Sequence, residues 1–180
     1  MSDDFRKIAT RARKKQLFVP VETTQVVDLG RAQIERILPH RDPFLFVDKI
    51  SAVDLKEIGA IGHRRINPSD PVFTGHFPGQ PVYPGALLIE TIGQLCLCLY
   101  RLRALDRVEV KPNDTPPALR LLRIHHALFA GEVSPGDEIT IIGKQLEDSP
   151  YTAISAGQIL KGDQICAVAI MEVYLLDGNE

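Results

Sequence analysis

The stretch PVFTGHFPGQPVYPGALLIETIGQ, residues 71–94, joins a turn rich in glycine and proline to a long apolar run. Because proline suits the first turn of a helix, the run predicts a helix from residue 84 to about residue 105. Apolar side chains would cover nearly every face of this helix, and such a helix has to be covered by other elements on most sides. The stretch therefore predicts a central helix with the rest of the chain wrapped around it.

Segments on both sides of the predicted helix are typical of β-strands, because they are rich in β-branched and apolar residues between clusters of turn residues. The segment KGD, residues 161–163, is a hairpin signal between the last two of them. The predicted extended segments are residues 43–55, 57–67, 119–133, 137–147, 152–160 and 164–176. A few strands, one buried helix and a further run of strands predict an α+β domain, with an antiparallel sheet packed against a central helix.

A chain of 180 residues suits a single domain. Residues 33–180 carry the helix and strand patterns, so they are predicted to form this domain. Residues 1–32 are charged and weakly patterned, and we expect them to be an N-terminal extension that is partly flexible and solvated. Its basic segment RARKK, residues 11–15, leaves an interaction arm as the alternative.

The charge balance argues against nucleic acid or an anionic membrane as a partner, because 21 Lys and Arg residues face 23 Asp and Glu residues. The longest apolar run, residues 86–100, is interrupted by polar side chains, and the polar start lacks the apolar core of a signal peptide. The three cysteines lie in apolar runs without metal-ligand spacing, which indicates small buried side chains in a reducing compartment. We therefore expect a cytoplasmic protein that neither spans nor enters a membrane.

Glu90 is the unusual residue of the apolar run. In a helix, Glu90 and Gln94 project from one face, one turn apart, where the amide can hydrogen-bond to the carboxyl. A helical glutamate usually faces solvent. The neighbours of Glu90 are apolar, however, and burial would raise its pKa and favour a proton-donating carboxyl near neutral pH. We predict that Glu90 is a catalytic acid.

His76 lies in the Gly/Pro-rich turn ahead of the predicted helix. The glycines permit close backbone approach and the prolines stiffen the turn, so the imidazole would be held on a rigid loop. A lone histidine is more often structural than catalytic. Acid–base catalysis, however, needs two groups of different pKa at one site, and His76 and Glu90 would provide them.

Gly85 follows the proline that opens the predicted helix. The backbone N–H groups of Gly85, Ala86 and Leu87 would be free at the positive end of the helix dipole, which is a plausible oxyanion site. The alternative is an ordinary helix start. Structural or surface roles, and no metal site, are predicted for the other histidines, because none has a cluster of ligands at suitable spacing. These are His40, His63, His125 and His126.

In three stretches the sequence resembles the bacterial 3-hydroxyacyl-[acyl carrier protein] dehydratases of the FabZ type, which have the hot-dog fold. The stretches are LPHRDPFLFVDKI (38–50), GHFPGQPVYPGALLIETIGQ (75–94) and, more weakly, GEVSPGDEI (131–139). The resemblance covers about residues 34–175 in consistent order. It implies a long central helix wrapped by a curved antiparallel sheet.

The resemblance also implies an activity and partners. The reaction would be the dehydration of (3R)-3-hydroxyacyl thioesters to trans-2-enoyl thioesters in fatty-acid or related acyl and polyketide biosynthesis. The substrate would arrive on the phosphopantetheine arm of acyl carrier protein, and no metal or redox cofactor would be needed. Two subunits would pair edge to edge into one continuous sheet, as a homodimer or a trimer of dimers, with two active sites at the subunit interface.

Residue by residue, the resemblance makes His76 the catalytic histidine and Glu90 the catalytic acid, each site combining His76 of one subunit with Glu90 of the other. The amide of Gly85 would face the thioester carbonyl, and Gln94 would support the acid. A glutamate at the acid position points to dehydration without isomerisation of the double bond. The residues expected to contact substrate are Gly85, Gln94, Phe77 and Tyr83.

The chain departs from the family pattern with Asp42 where an aromatic residue is usual, Tyr83 where methionine is usual, and TIGQLCLCL (91–99) in place of an alanine-rich segment. Its N-terminal leader is also longer than is usual in the family. Bulkier residues near the tunnel would reshape the acyl pocket, so housekeeping and specialised pathways both stay open. Two further functions stay open as alternatives. One is an acyl thioesterase, and the other is a non-catalytic hot-dog subunit that binds acyl groups or acyl carrier protein.

Overall fold

The computed structural model describes residues 2–176, and the outer ends of both predicted ranges, residue 1 and residues 177–180, lie outside it. Within residues 2–176 there are three helices, a short 3-10 helix (Pro71–Thr74) and seven strands. The helices are α1 (Ser2–Ala12), α2 (Arg31–Ile37) and α3 (Gly85–Ala104). The strands are β1 (Gln25–Gly30), β2 (Lys49–Asp54), β3 (Gly59–Arg65), β4 (Leu119–Phe129), β5 (Glu138–Asp148), β6 (Thr152–Lys161) and β7 (Gln164–Leu175).

The strands form one antiparallel sheet in the order β1-β2-β3-β5-β6-β7-β4. Strand β4 follows α3 in the chain and lies at the far end of the sheet, beside β7. Strands β1 and β4 are therefore the two edges. The predicted α+β hot-dog fold, one long helix against an antiparallel sheet, is confirmed.

Helix α3 is the core of this fold, as its apolar pattern predicts. Ile92, Leu95 and Leu99 have no exposed surface, and burial of each such side chain stabilises the fold by about 1.5–3 kcal/mol. A side chain at Gly157 of β6 would collide with Ile92, so this glycine lets the sheet lie directly against the helix. Among the described residues α3 alone is long and apolar enough to cross a membrane, and 56% of that apolar stretch is buried, as in a core helix.

The N-terminal extension differs from the prediction of a solvated segment. Phe5 and Ala9 of α1 are buried against Ile154 and Ala156 of β6. Gly157, the next residue of β6, faces α3, and successive side chains of a strand point to opposite faces. Helix α1 therefore covers the face of the sheet that α3 does not. The prediction of solvation is wrong for these buried residues, because the many charged side chains of α1 surround an apolar face that carries Phe5 and Ala9.

A buried amide fastens the end of α1 to the sheet. The Gln158 side chain donates from Nε2 to the carbonyl oxygens of Ala12 and Lys15, and its Oε1 accepts from the Leu17 N–H at 2.7 Å. Strand β1 then pairs with β2. The sheet therefore begins before residue 33, whereas the boundary between extension and domain at residues 32 and 33 stays a prediction.

Candidate active site

His76 is held on the loop between the 3-10 helix and α3 by two hydrogen bonds to Val82. The ring nitrogen Nδ1 lies 2.8 Å from the Val82 carbonyl oxygen, and the Val82 N–H donates to the His76 carbonyl at 3.1 Å. A carbonyl only accepts, so Nδ1 carries the proton and donates it. In the neutral ring Nε2 then has the free lone pair, which is what a general base requires.

Gly85 is the first residue of α3, where backbone amides lack partners within the helix. A side chain at Gly85 would come within 2.7 Å of the Phe129 ring of β4, so any other residue there would require this ring to move. The prediction of three free amides is wrong for Leu87, whose N–H donates to the Pro84 carbonyl at 3.0 Å. His76, Gly85 and Phe129 line one open cleft of about 330 Å³.

Glu90 lies one turn further along α3 and is held by two side chains. The Gln94 amide donates to Glu90 Oε1 at 3.0 Å, and His40 Nε2 lies 3.3 Å from the same oxygen. The contact with His40 lowers the pKa of Glu90 below its usual value; burial opposes this, and the Gln94 hydrogen bond adds to it. The prediction of a raised pKa is therefore wrong, because burial is outweighed by donors that stabilise the carboxylate.

Gln94 is fully buried and links Glu90 to the chain segment before β2. Its Oε1 accepts from the Phe46 N–H at 2.6 Å, while its Nε2 also donates to the Phe44 carbonyl at 2.9 Å. Two backbone groups thus fix the rotamer of Gln94, and Gln94 in turn fixes the carboxyl group of Glu90. This arrangement suits the supporting role that the resemblance implies for Gln94.

His40 is the residue that the sequence did not single out. It follows α2, its ring stacks on Phe44 with centroids 6.1 Å apart, and its Nδ1 is buried without a hydrogen-bond partner among the described residues. The sequence assigned it a structural or surface role. Its place in LPHRDPF, one of the stretches that carried the resemblance, was the available signal.

A second cavity, of about 270 Å³, begins at His40 and Glu90 and follows α3 to Tyr100. At 1.5 Å per helical residue it runs for about 15 Å. Its walls are mainly apolar, and so fit an alkyl chain better than a polar one. The wall residues include Leu97, Leu119, Leu121, Ala153, Met171 and Val173.

The departures from the family pattern have different surroundings. Asp42 is exposed and pairs with Arg31 at 2.6 Å, so it faces solvent. Tyr83 is buried, and burial raises its pKa to about 12. From TIGQLCLCL, Cys96 and Leu97 reach the wall of the second cavity. Only this segment therefore alters the shape of the apolar cavity.

The predicted site residues fall into two groups within one chain. Gly85 and Tyr83 line the cleft with His76, and the exposed Phe77 ring stacks on the His76 ring with centroids 4.1 Å apart. Glu90 lines the second cavity instead.

No group of three or more His, Cys, Asp or Glu side chains within residues 2–176 could hold a metal ion.

Comparison with known proteins relates this geometry to a family. The FabA-like domain family matches residues 38–170. The 3-hydroxyacyl-[acyl-carrier-protein] dehydratase FabZ of Campylobacter jejuni is 35% identical over 145 residues, which cover 81% of this chain and 96% of that protein. FabZ of Chlamydia trachomatis is 34% identical over 149 residues, covering 82% and 93%.

Solved structures share the fold at low sequence identity. One, from Xenorhabdus doucetiae and described as the dehydratase heterocomplex ApeI:P, is similar with a TM-score of 0.64 and 14% identity, over 80% of this chain and 91% of that chain. A hypothetical thioesterase from Streptococcus pneumoniae has a TM-score of 0.51 and 9% identity, over 97% and 96%. Because proteins of different descriptions share this fold, the family is assigned from the sequence match and not from the fold. The chain belongs to the FabA-like family and, within it, to the FabZ-type 3-hydroxyacyl-[acyl-carrier-protein] dehydratases.

Proposed function

We propose that the protein dehydrates (3R)-3-hydroxyacyl thioesters on acyl carrier protein to trans-2-enoyl thioesters, in fatty acid biosynthesis. The observation that carries this proposal is that a chain of the FabZ type has an imidazole, His76, and a carboxyl, Glu90, each with its orientation fixed by hydrogen bonds. One group suits proton removal and the other proton donation. Neither nucleic acid nor a membrane is part of the proposal.

In the proposed reaction, Gly85, His76 and Glu90 each have one role. The Gly85 amide hydrogen-bonds to the thioester carbonyl and stabilises the negative charge that forms on its oxygen. His76 Nε2 removes the proton from C2 of the acyl chain. The bond from C3 to oxygen breaks, the electron pair leaves with the oxygen, and Glu90 gives the proton that completes the water molecule. This chemistry calls for no metal or redox cofactor.

The complete site requires a second copy of the chain. His76 and Glu90 line separate cavities within one chain, and β4 is an edge strand with exposed apolar side chains. Such an edge is a template for pairing. We propose that β4 pairs with β4 of a second copy to form a dimer, alone or within a trimer of dimers, in which each site takes His76 from one subunit and Glu90 from the other. The exposed apolar residues of β4 are Leu121, Leu122, Ile124 and Phe129.

Acyl carrier protein is the proposed partner and supplies the phosphopantetheine arm that carries the substrate. The apolar cavity beside α3 would take the acyl chain. A cytoplasmic location would give the protein access to acyl carrier protein and to the substrate that it carries. These assignments rest on the names of the FabZ relatives and on the shape of the cavity.

Replacement of Glu90 by Gln tests this function. The amide keeps the size of the side chain but has no acidic proton, so we expect an intact fold and a loss of dehydration by about 100-fold or more. The assay follows the ultraviolet absorbance of the enoyl thioester formed from a 3-hydroxyacyl thioester. Near-normal turnover by the variant would refute the role of Glu90.

The same assay separates the alternatives that the sequence leaves open. A thioesterase would release free thiol from a saturated acyl thioester that has no 3-hydroxyl group. A non-catalytic subunit would bind acyl carrier protein and turn over neither substrate. We expect conversion of the 3-hydroxyacyl thioester and no thiol release from the saturated one.

A further inference from the structure

The loop that carries His40 is held in place by hydrogen bonds and ring stacking. The Arg41 guanidinium donates to the carbonyl oxygens of Leu38 and His40, at 2.9 and 2.7 Å, and so braces the loop. The His40 ring stacks on Phe44, whose carbonyl is bound by Gln94. The imidazole therefore reaches Glu90 from a loop that is tied to α3 at its base.

The His40–Glu90 contact is partly shielded from water, with 24% and 30% of the two side chains exposed. Asp42, on the loop of His40, is paired with Arg31, and burial raises the pKa of the Cys96 thiol to about 12, so neither competes with Glu90 for His40. Apart from His40 and Glu90, the titratable or charged groups on the cavity walls are Cys96, Tyr100 and Arg120, and those on the loop between α2 and β2 are Arg41, Asp42 and Asp48. Asp48 accepts a hydrogen bond from the Arg65 N–H.

The proposed reaction requires Glu90 to give a proton, yet the contacts with His40 and Gln94 favour its carboxylate and lower its pKa. A carboxyl ordinarily loses its proton near pH 4.3 and an imidazole near about 6.5. Two groups in contact titrate as a pair, so a carboxyl paired with an imidazole retains one shared proton to higher pH than a carboxyl alone.

We propose that His40 is a positioning residue that shares one proton with Glu90 and keeps that proton available to the departing hydroxyl up to neutral pH. The inference rests on the proposed function. With the proton on the carboxyl and the imidazole neutral, Glu90 gives it to the oxygen as the C3–O bond breaks. The products are the enoyl thioester, water, a Glu90 carboxylate, neutral His40 and a protonated His76. Before the next turnover His76 releases the proton that it took from C2, and the His40–Glu90 pair takes up one proton from solvent.

Two substitutions separate this role from a structural one. His40→Phe keeps the ring that stacks on Phe44, and His40→Gln keeps a hydrogen-bond donor of similar reach; neither side chain titrates near neutral pH. For both variants we expect the decline of kcat at high pH to begin about one to two pH units lower than in the wild type. His63→Gln is the matched control, because His63 contacts Ser51 of β2 outside this cavity, and its profile should stay that of the wild type.

A double substitution shows whether His40 acts through Glu90. In a Glu90→Gln background, His40→Phe should not shift the pH profile of the residual activity further, because the shared proton is already lost. Thermal unfolding followed by circular dichroism shows whether each variant is folded. If His40→Phe does not fold, the pH profile of His40→Gln alone tests the proposal. A uniform loss of kcat with an unchanged profile in the His40 variants would overturn the proposal, since that is the signature of a structural role. If the wild type itself fails to dehydrate the substrate, the proposed function falls, and this inference falls with it.

Discussion

Glu90 shows why the type of residue does not by itself decide its protonation. Its position on an apolar helix predicts a raised pKa, whereas the observed contacts lower it. Both contacts reach Oε1, one from the next turn of α3 and one from a loop about fifty residues earlier in the chain. Only the first of these partners could be predicted from helical spacing.

Gln94 offers a test of this network at the level of one residue. Replacement by Leu would leave the Phe46 N–H and the Phe44 carbonyl without their partner, so we expect unfolding to become easier by about 2 kcal/mol. Urea unfolding measures the change, and dehydration should fall because Glu90 loses its support. Gln145→Leu is the matched control: Gln145 is also buried, but its side-chain atoms have no partner within residues 2–176, so its replacement should be neutral or stabilising. Equal losses in the two variants would contradict the account.

The lowered pKa of Glu90 predicts a contribution to stability that depends on pH. A carboxyl whose pKa is lower in the folded state stabilises the fold above its unfolded pKa, near about 4.3, and this contribution is lost as the pH falls through the folded value. Glu90→Gln has no such proton. We therefore expect the difference in free energy of unfolding between wild type and variant to shrink as the pH falls from about 5 to about 3. A difference that stays constant over urea titrations in this range would contradict the lowered pKa.

At the scale of elements, the central helix and strands β2–β7 could be predicted from the residue pattern, but helix α1 and strand β1 could not. An apolar run that begins at a proline predicts α3 from residue 84 to about residue 105. Because this helix is apolar on nearly all faces, it also predicts that other elements cover it. Helix α1 has only a narrow apolar face among many charged residues, so its composition is that of a solvated segment. The face of β6 and β7 that α1 covers also could not be predicted from the sequence, because it forms only when the strands pair into a sheet.

The contribution of α1 can be measured by truncating its buried aromatic side chain. Phe5 packs on Ile154 and Ile170 and lies against the His125 ring, with centroids 4.9 Å apart. Phe5→Ala should lower the free energy of unfolding by about 3 kcal/mol. Lys7→Ala, on the exposed side of the same helix, should change it by less than about 0.5 kcal/mol. Equal values in chemical unfolding would show that α1 does not stabilise the sheet.

Of the two edge strands, we propose that only β4 pairs with a second copy of the chain, and substitutions on each edge can test this. Ile124 lies on β4, the edge proposed to pair with a second copy, whereas Val26 lies exposed on β1, the opposite edge. We expect Ile124→Lys to shift the protein towards monomer in analytical ultracentrifugation, because a charge at an edge opposes pairing, and to lower dehydration with it. Val26→Lys should leave the oligomeric state unchanged. Dissociation by Val26→Lys alone would place the interface on the other edge.

At the scale of the whole molecule, the sequence predicted the fold class and the family, both of which are confirmed. It also singled out Glu90 and Gln94, because their pairing is local to one helix. His40 could not be assigned, since its contact with Glu90 depends on how the loop after α2 packs against α3. The meeting of His76 and Glu90 stays a prediction, because it depends on a second copy of the chain.

Complementation between two inactive variants tests the shared site most directly. His76→Ala and Glu90→Gln are each expected to retain about one hundredth or less of wild-type activity alone. When the two are unfolded together and refolded, half of the dimers should be mixed, and each mixed dimer should have one intact site out of two. The mixture should therefore regain about one quarter of wild-type dehydration. If each site lay within a single chain, no intact site would form, and a mixture as inactive as its components would contradict the account.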